Sequence, residues 1–239
     1  IDQIQTNMAA KTCPITTAMT ANAPPVVAPV ASVTVPISTP FELTASATDP
    51  NGDTLTYQWE GMDQLVAGGT GANSVAFPTK AAGPNWLSFN PTASGTRTFP
   101  TLATLQAGLQ ITPPLPGGDA IANIEALSSV ARTLAFRVTV RENHPYTSTP
   151  AVATGQTQFT DVTVTVSAAA GPFEVTSPNT ALTWNTGSTQ TVTWNVGNTT
   201  AAPVSCPLVD IRISSDSGAT FPTVLAAATP NDGRELVVG

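Results

Sequence analysis

Several stretches of this chain place apolar residues at every second position, and that period leaves little room for anything but β-strand. Successive strand side chains point to opposite faces, so residues two apart share one. Over 41–47 and 54–60 the repeat puts Phe41, Leu43, Leu55, Tyr57 and Trp59 on a common inward face. Leu134, Phe136, Val138 and Val140 repeat it, and so do Val162, Val164 and Val166. Such runs joined by turn residues predict an all-β chain built as a β-sandwich. Composition agrees: 22 prolines and 17 glycines interrupt helices, and charged residues, at 10%, are too few to clothe many solvated helical faces.

A length of 239 residues accommodates two sandwiches. Residues 1–10 set Ile1, Ile4 and Met8 at helical spacing, and Pro24, Pro25 and Pro29 then keep the chain extended, so 1–22 reads as a helical tail and a Pro/Ala-rich linker. The first sandwich spans 23–168. Within it the alternation fades over about 61–132, a long insertion anchored by Trp86, Phe89, Phe99 and Leu115, with a short helix expected over 101–109 or 120–130. Small residues and proline at Ala168–Pro172 predict a hinge. A second sandwich then occupies 171–239, with strands expected at 173–177, 181–184, 189–196, 209–213 and 235–238. Five strands fall short of the roughly seven that close a sandwich, so this domain is expected to be truncated and to continue past Gly239.

Charge and residue counts exclude several functions. A net charge of −7 with only two lysines, Lys11 and Lys80, offers nothing to neutralise phosphates, so nucleic acid is not an expected partner. No apolar run approaches the roughly 18–20 residues of a transmembrane helix. Cys13 and Cys206 are too few and too distant in sequence for a disulfide framework or a Cys-x-x-Cys metal site, and they are not expected to bond each other. With His144 as the single histidine, the chain holds no His-x-x-x-His zinc motif. His144 is expected to be a solvent-facing loop residue without a nucleophile or an orienting partner, and no catalytic residue is assigned.

One loop does carry coordination chemistry. Asp49-Pro-Asn-Gly-Asp53 sets three oxygen-bearing side chains, Asp49, Asn51 and Asp53, at alternate positions ahead of a strand. Glu142 and Asn143 end a strand expected to lie beside it. Together these five residues could surround a hard cation such as Ca²⁺, which takes about 6–8 oxygens. The same pentapeptide also reads as a simple turn, with Asn51-Gly52 supplying a left-handed conformation, and the sequence leaves both readings open. Trp59 and Trp194 keep phase with apolar neighbours and belong to the core, whereas Trp86, in Gly83-Pro-Asn-Trp-Leu87, is the candidate for an exposed ligand face.

A series of strings, taken in order, resembles a known arrangement: Ile1–Ile4, Thr39–Glu60, Arg137–Asn143, Gly171–Pro178, Thr191–Val196, Ser214–Gly218 and Pro230–Gly233. It is similar to the region downstream of the catalytic domain in secreted bacterial reprolysin-type zinc metallopeptidases. The resemblance implies two immunoglobulin-like β-sandwiches in tandem, of the PKD, cadherin or fibronectin III kind, behind a helical remnant of the peptidase domain. It implies a non-catalytic accessory region, extracellular or at the cell surface, that positions a catalytic domain in cis or binds protein substrate, surface glycan or envelope. No zinc ligand carries over to any residue here. The rival expectation is an adhesin or carbohydrate-binding β-sandwich with no protease attached.

Overall fold

The computed structural model describes residues 2–12, 19–64, 70–71, 74–149, 151–180 and 182–239. Cys13, Ile1 and Ala181 lie outside them, so the disulfide expectation and part of the strand expected at 181–184 fall there too. The described chain is mostly β with two short helices. Helix α1 (Asp2–Ala9) comes first, with Ile4 and Met8 more than half exposed. Strands β1 (Val26–Val27), β2 (Val33–Pro36), β3 (Phe41–Thr44), β4 (Ala47–Thr48) and β5 (Leu55–Gly61) follow. Then come β6 (Thr96–Phe99), α2 (Leu102–Gln106), β7 (Ile111–Thr112), β8 (Glu125–Ala126), β9 (Arg132–Glu142) and β10 (Thr157–Ser167).

A four-stranded sheet in the order β2-β10-β9-β5 forms the main layer. Its register follows the alternation. Leu134, Phe136, Val138 and Val140 of β9 and Val162, Val164 and Val166 of β10 all turn inward and are buried, while the intervening Thr and Arg residues face out. The β3-β6 pair carries the opposing aromatic residues. Phe41 stacks on Phe99 at 5.1 Å between centroids, and Phe99 packs on Phe136 of the main sheet at 4.7 Å. Close approach of the layers requires glycine at 95, where a Cβ would lie 2.1 Å from the Ala45 carbonyl oxygen, and the Trp59 indole donates to the Gly95 carbonyl at 2.9 Å.

The stretch at 61–132 is part of this core. Strand β6 pairs along β3, and Trp86, Phe99 and Leu127 are buried in the same cluster as Trp59. Long irregular backbone can pack inside only if its polar groups find partners, and here buried side chains supply them. Lys80 Nζ donates to the carbonyls of Val75 (2.6 Å) and Pro84 (2.8 Å), Asn85 Nδ2 to those of Phe77 (3.2 Å) and Ala126 (3.0 Å), and Arg132 to those of Lys80 (2.9 Å) and Gly83 (2.6 Å). The helix expected near 101–109 is α2. Around 120–130 there is instead the strand β8, which pairs with β7.

The remaining strands are β11 (Glu174–Ser177), β12 (Thr189–Asn195), β13 (Leu208–Ile213), β14 (Thr223–Pro230) and β15 (Arg234–Val238). They form a three-stranded sheet, β11-β12-β15, and a β13-β14 pair around a separate small cluster of Val192, Trp194 and Val237. Leu182–Trp184 form no strand, and β14 was not anticipated. The expected hinge is tied down: Gly171 N–H donates to Gly197 O (2.6 Å), Phe173 N–H to Thr39 Oγ1 (2.9 Å) and Asn198 Nδ2 to Ala169 O (2.9 Å).

Candidate metal centre

Strand pairing builds the site. In the β5–β9 register Leu55 faces Glu142, so the loop that leads into β5 is carried against the end of β9. Within that loop Asp49 Oδ1 accepts the backbone N–H groups of Asn51 and Asp53, each at 2.9 Å, and Gly52 takes the left-handed φ of +83°. The turn therefore forms as the dipeptides suggest, and it also gathers acidic groups. Asp49, Asp53 and Glu142 each present an oxygen within 4.8 Å of the others.

Of the five residues expected to surround a cation, these three carboxylates converge, and the two asparagine amides have hydrogen-bond partners of their own. Asn51 Oδ1 is occupied by the Ala23 N–H at 2.9 Å, and the Asn143 amide turns away to donate to the Thr54 carbonyl at 3.1 Å. Asparagine amides are drawn to free backbone groups, and here backbone brought in from 28 and 89 positions away engages both. Two neighbours escaped the sequence reading. His144 has a partner after all, with Nδ1 lying 2.8 Å from Asp53 Oδ2; nothing local marks this pair, which β-pairing alone brings together. Asn22, in the stretch read as linker, is only 2% exposed and donates from Nδ2 to Glu142 Oε1.

The electrostatics are those of a crowded carboxylate group. Burial pushes the Glu142 carboxyl up, and the adjoining Asp49 adds to the rise. Asp49 is held down, chiefly by the N–H of Asp53. Three buried oxygens here, Asp49 Oδ2, Glu142 Oε2 and Asn22 Oδ1, have no hydrogen-bond partner among the described residues. A buried acceptor left without a partner costs about 1–3 kcal/mol, and facing carboxylate oxygens require a proton or a cation between them. Oxygen ligands without nitrogen or sulfur suit a hard cation. Two oxygens at about 2.3–2.6 Å from one Ca²⁺ stand at most about 4.6–5.2 Å apart, whereas the shorter bonds of Mg²⁺ cap that span near about 4.2 Å. The three carboxylate oxygens, all within 4.8 Å of one another, fall inside the span that Ca²⁺ allows.

Trp86 requires a correction. Expected on a ligand face, it is 6% exposed and meets Phe41 and Phe99 edge-on at 5.8 and 5.4 Å. Strand β6 folds the insertion across the open side of the sheet, and Trp86 fills that gap. Surface depressions lie elsewhere, among them two lined by aromatic residues. One, of about 420 Å³, is lined by Glu42, Tyr57, Phe89, Asn90 and Arg97 and touches Ala219 of the C-terminal part. The other, about 690 Å³ and apolar, lies among Phe173, Trp184, Trp194, Leu208, Ile211 and Phe221. No helix among the described residues is long and apolar enough to cross a membrane. No family model and no curated protein matches this chain.

Proposed function

We propose that this chain is a non-catalytic accessory region of a secreted bacterial zinc metallopeptidase: two immunoglobulin-like β-sandwiches in tandem, the first stabilised by Ca²⁺. Its role is to hold a catalytic domain in place and to engage protein substrate or the cell surface. The observation that carries the reading is the group of Asp49, Asp53 and Glu142, with its unpartnered buried oxygens, set where the leading segment meets the first sheet. Calcium at that point would stiffen the connection to whatever precedes it. The order of sequence strings supports the protease context, and the all-oxygen donor set supports a structural ion over a hydrolytic zinc, which needs nitrogen-rich or sulfur-rich ligands.

Calorimetry of the metal-stripped chain tests this. Added Ca²⁺ raises its stability by about 2.7 kcal/mol at a hundredfold excess over Kd, Asp53→Ala removes that gain, and casein stays undigested with or without chelator. Chelator-sensitive digestion by the purified chain, or an unchanged melting temperature in millimolar Ca²⁺, would sink the reading.

A second reading, an adhesin or carbohydrate-binding module, is favoured by the 420 Å³ depression. There the half-buried rings of Tyr57 and Phe89 lie beside the exposed Glu42 and Asn90, and Arg97 is already engaged with Glu125 and the Trp59 carbonyl. Rings beside uncommitted polar groups suit a neutral sugar. Glycan-array binding lost in Phe89→Ala would favour it, and an empty array would remove it.

A further inference from the structure

We propose that Asn22 is a ligand of the cation site, so that one bound Ca²⁺ clasps the leading segment, residues 19–28, onto the first sheet; this rests on the reading of the acidic group as a calcium site. Proline and alanine around Asn22 describe an extended tether, and a tether has no reason to bury an amide. Yet Asn22 is 2% exposed and held on every side. Its Nδ2 donates to Glu142 Oε1 and to the Thr154 carbonyl (2.9 Å), its own carbonyl accepts from Gln156 Nε2 (2.7 Å), and the next N–H, of Ala23, donates to Asn51 Oδ1 (2.9 Å).

Those contacts engage the side-chain nitrogen and the backbone carbonyl and leave the side-chain oxygen over. Asn22 Oδ1 is buried without a partner among the described residues, and Glu142 Oε2 and Asp49 Oδ2 share that condition. Because the Asn22 nitrogen already touches the Glu142 carboxylate, its oxygen is no more than an amide's width from the same group. The two residues most deeply buried at the site, Asn22 and Glu142 (4% exposed), thus each carry an unused buried oxygen beside it. With Asp49 and Asp53 the count reaches four protein groups, and bidentate carboxylates or water supply the remainder of about 6–8.

The chemistry makes the clasp conditional. Glu142 sits in the sheet, Asp49 and Asp53 in the loop before β5, and Asn22 on the segment that arrives from outside. An ion ligated by all three therefore couples docking of the segment to its own binding, and each favours the other to the same degree. Without the ion, the segment is held by hydrogen bonds alone, and a proton between the Asp49 and Glu142 oxygens still leaves Asn22 Oδ1 unmatched.

Titration of the whole metal-stripped chain with Ca²⁺ by calorimetry, joined to amide hydrogen exchange over 19–28, tests this. In the native chain Ca²⁺ binds and slows exchange across 19–28. Asn22→Ala weakens Ca²⁺ binding at least about tenfold, on the scale of lost metal-site partners, and abolishes the slowing. Asn22→Asp keeps an oxygen ligand but faces Glu142 with a second negative charge, so it retains Ca²⁺ binding while the metal-free segment exchanges faster than in the native chain. Undiminished affinity in Asn22→Ala, or exchange over 19–28 indifferent to Ca²⁺ in a chain that binds it, overturns the clasp alone. No Ca²⁺ binding by the native chain overturns the calcium reading and the clasp together.

Discussion

Arg97 and Glu125 meet in a 2.7 Å ion pair whose carboxylate is wholly withdrawn from solvent. Glu125 also accepts the Thr101 N–H (2.9 Å) and the Thr112 hydroxyl (2.8 Å), while Arg97 donates to the carbonyls of Trp59 and Leu87. One pair thus ties the irregular stretch between β5 and β9 to both layers of the core. Breaking a buried pair from one side strands the other charge, at a cost of about 3–5 kcal/mol. Glu125→Ala should lose that much in urea unfolding, and a loss below about 1 kcal/mol would show that the stretch is held by its apolar anchors alone.

Trp59 and Trp86 should behave alike. They are 3% and 6% exposed within one cluster, so truncation of either to alanine costs about 3–5 kcal/mol through lost burial and the cavity left behind. A small loss confined to Trp86→Ala would mean that its ring faces solvent after all.

Asp216 provides a pH signature. Ser214 Oγ (2.6 Å) and the hydroxyl (2.6 Å) and N–H (2.8 Å) of Thr220 hold its carboxyl down from 3.8 to about 2. A carboxylate depressed in the folded state binds fewer protons there than in the unfolded chain. Its contribution is therefore present above pH 3.8 and is lost as pH falls through about 2. Carboxyl titration followed by NMR should place Asp216 near 2, and a midpoint at the ordinary value would show that these hydrogen bonds do not persist in solution.

The two parts of the chain should open at different rates. Among the described residues thirteen are buried in the first cluster and three in the second, and Leu208, Phe221, Leu236 and Val238 are each about half exposed or more. Local opening follows the apolar contact that opposes it, so amides of β9 and β10 should exchange far more slowly than those of β13 and β14. Equal protection in both would show that the apolar depression beside Trp184 and Trp194 is closed in solution.

Local pattern sufficed for every element whose burial follows from its own period. The phase of Leu134–Val140 and Val162–Val166 puts one face inside regardless of what packs there, because strand side chains alternate whatever their partners. The Asp49–Asp53 turn was equally local, being written in Asp-Pro and Asn-Gly. Trp86, Asn22 and His144 were not legible, and the cause is the same for all three. Trp86 is buried because β6, ten residues on, pairs with β3. His144 meets Asp53 across 91 positions because β5 pairs with β9. Asn22 reaches Glu142 across 120 positions. Short-range sequence specifies how a residue's own strand or turn is shaped, whereas partners distant along the chain are set by which strands pair and in what register. Side-chain alternation and the Asp-Pro and Asn-Gly dipeptides thus specify the β-strands and the acidic turn, whereas strand pairing selects which oxygens that turn shares.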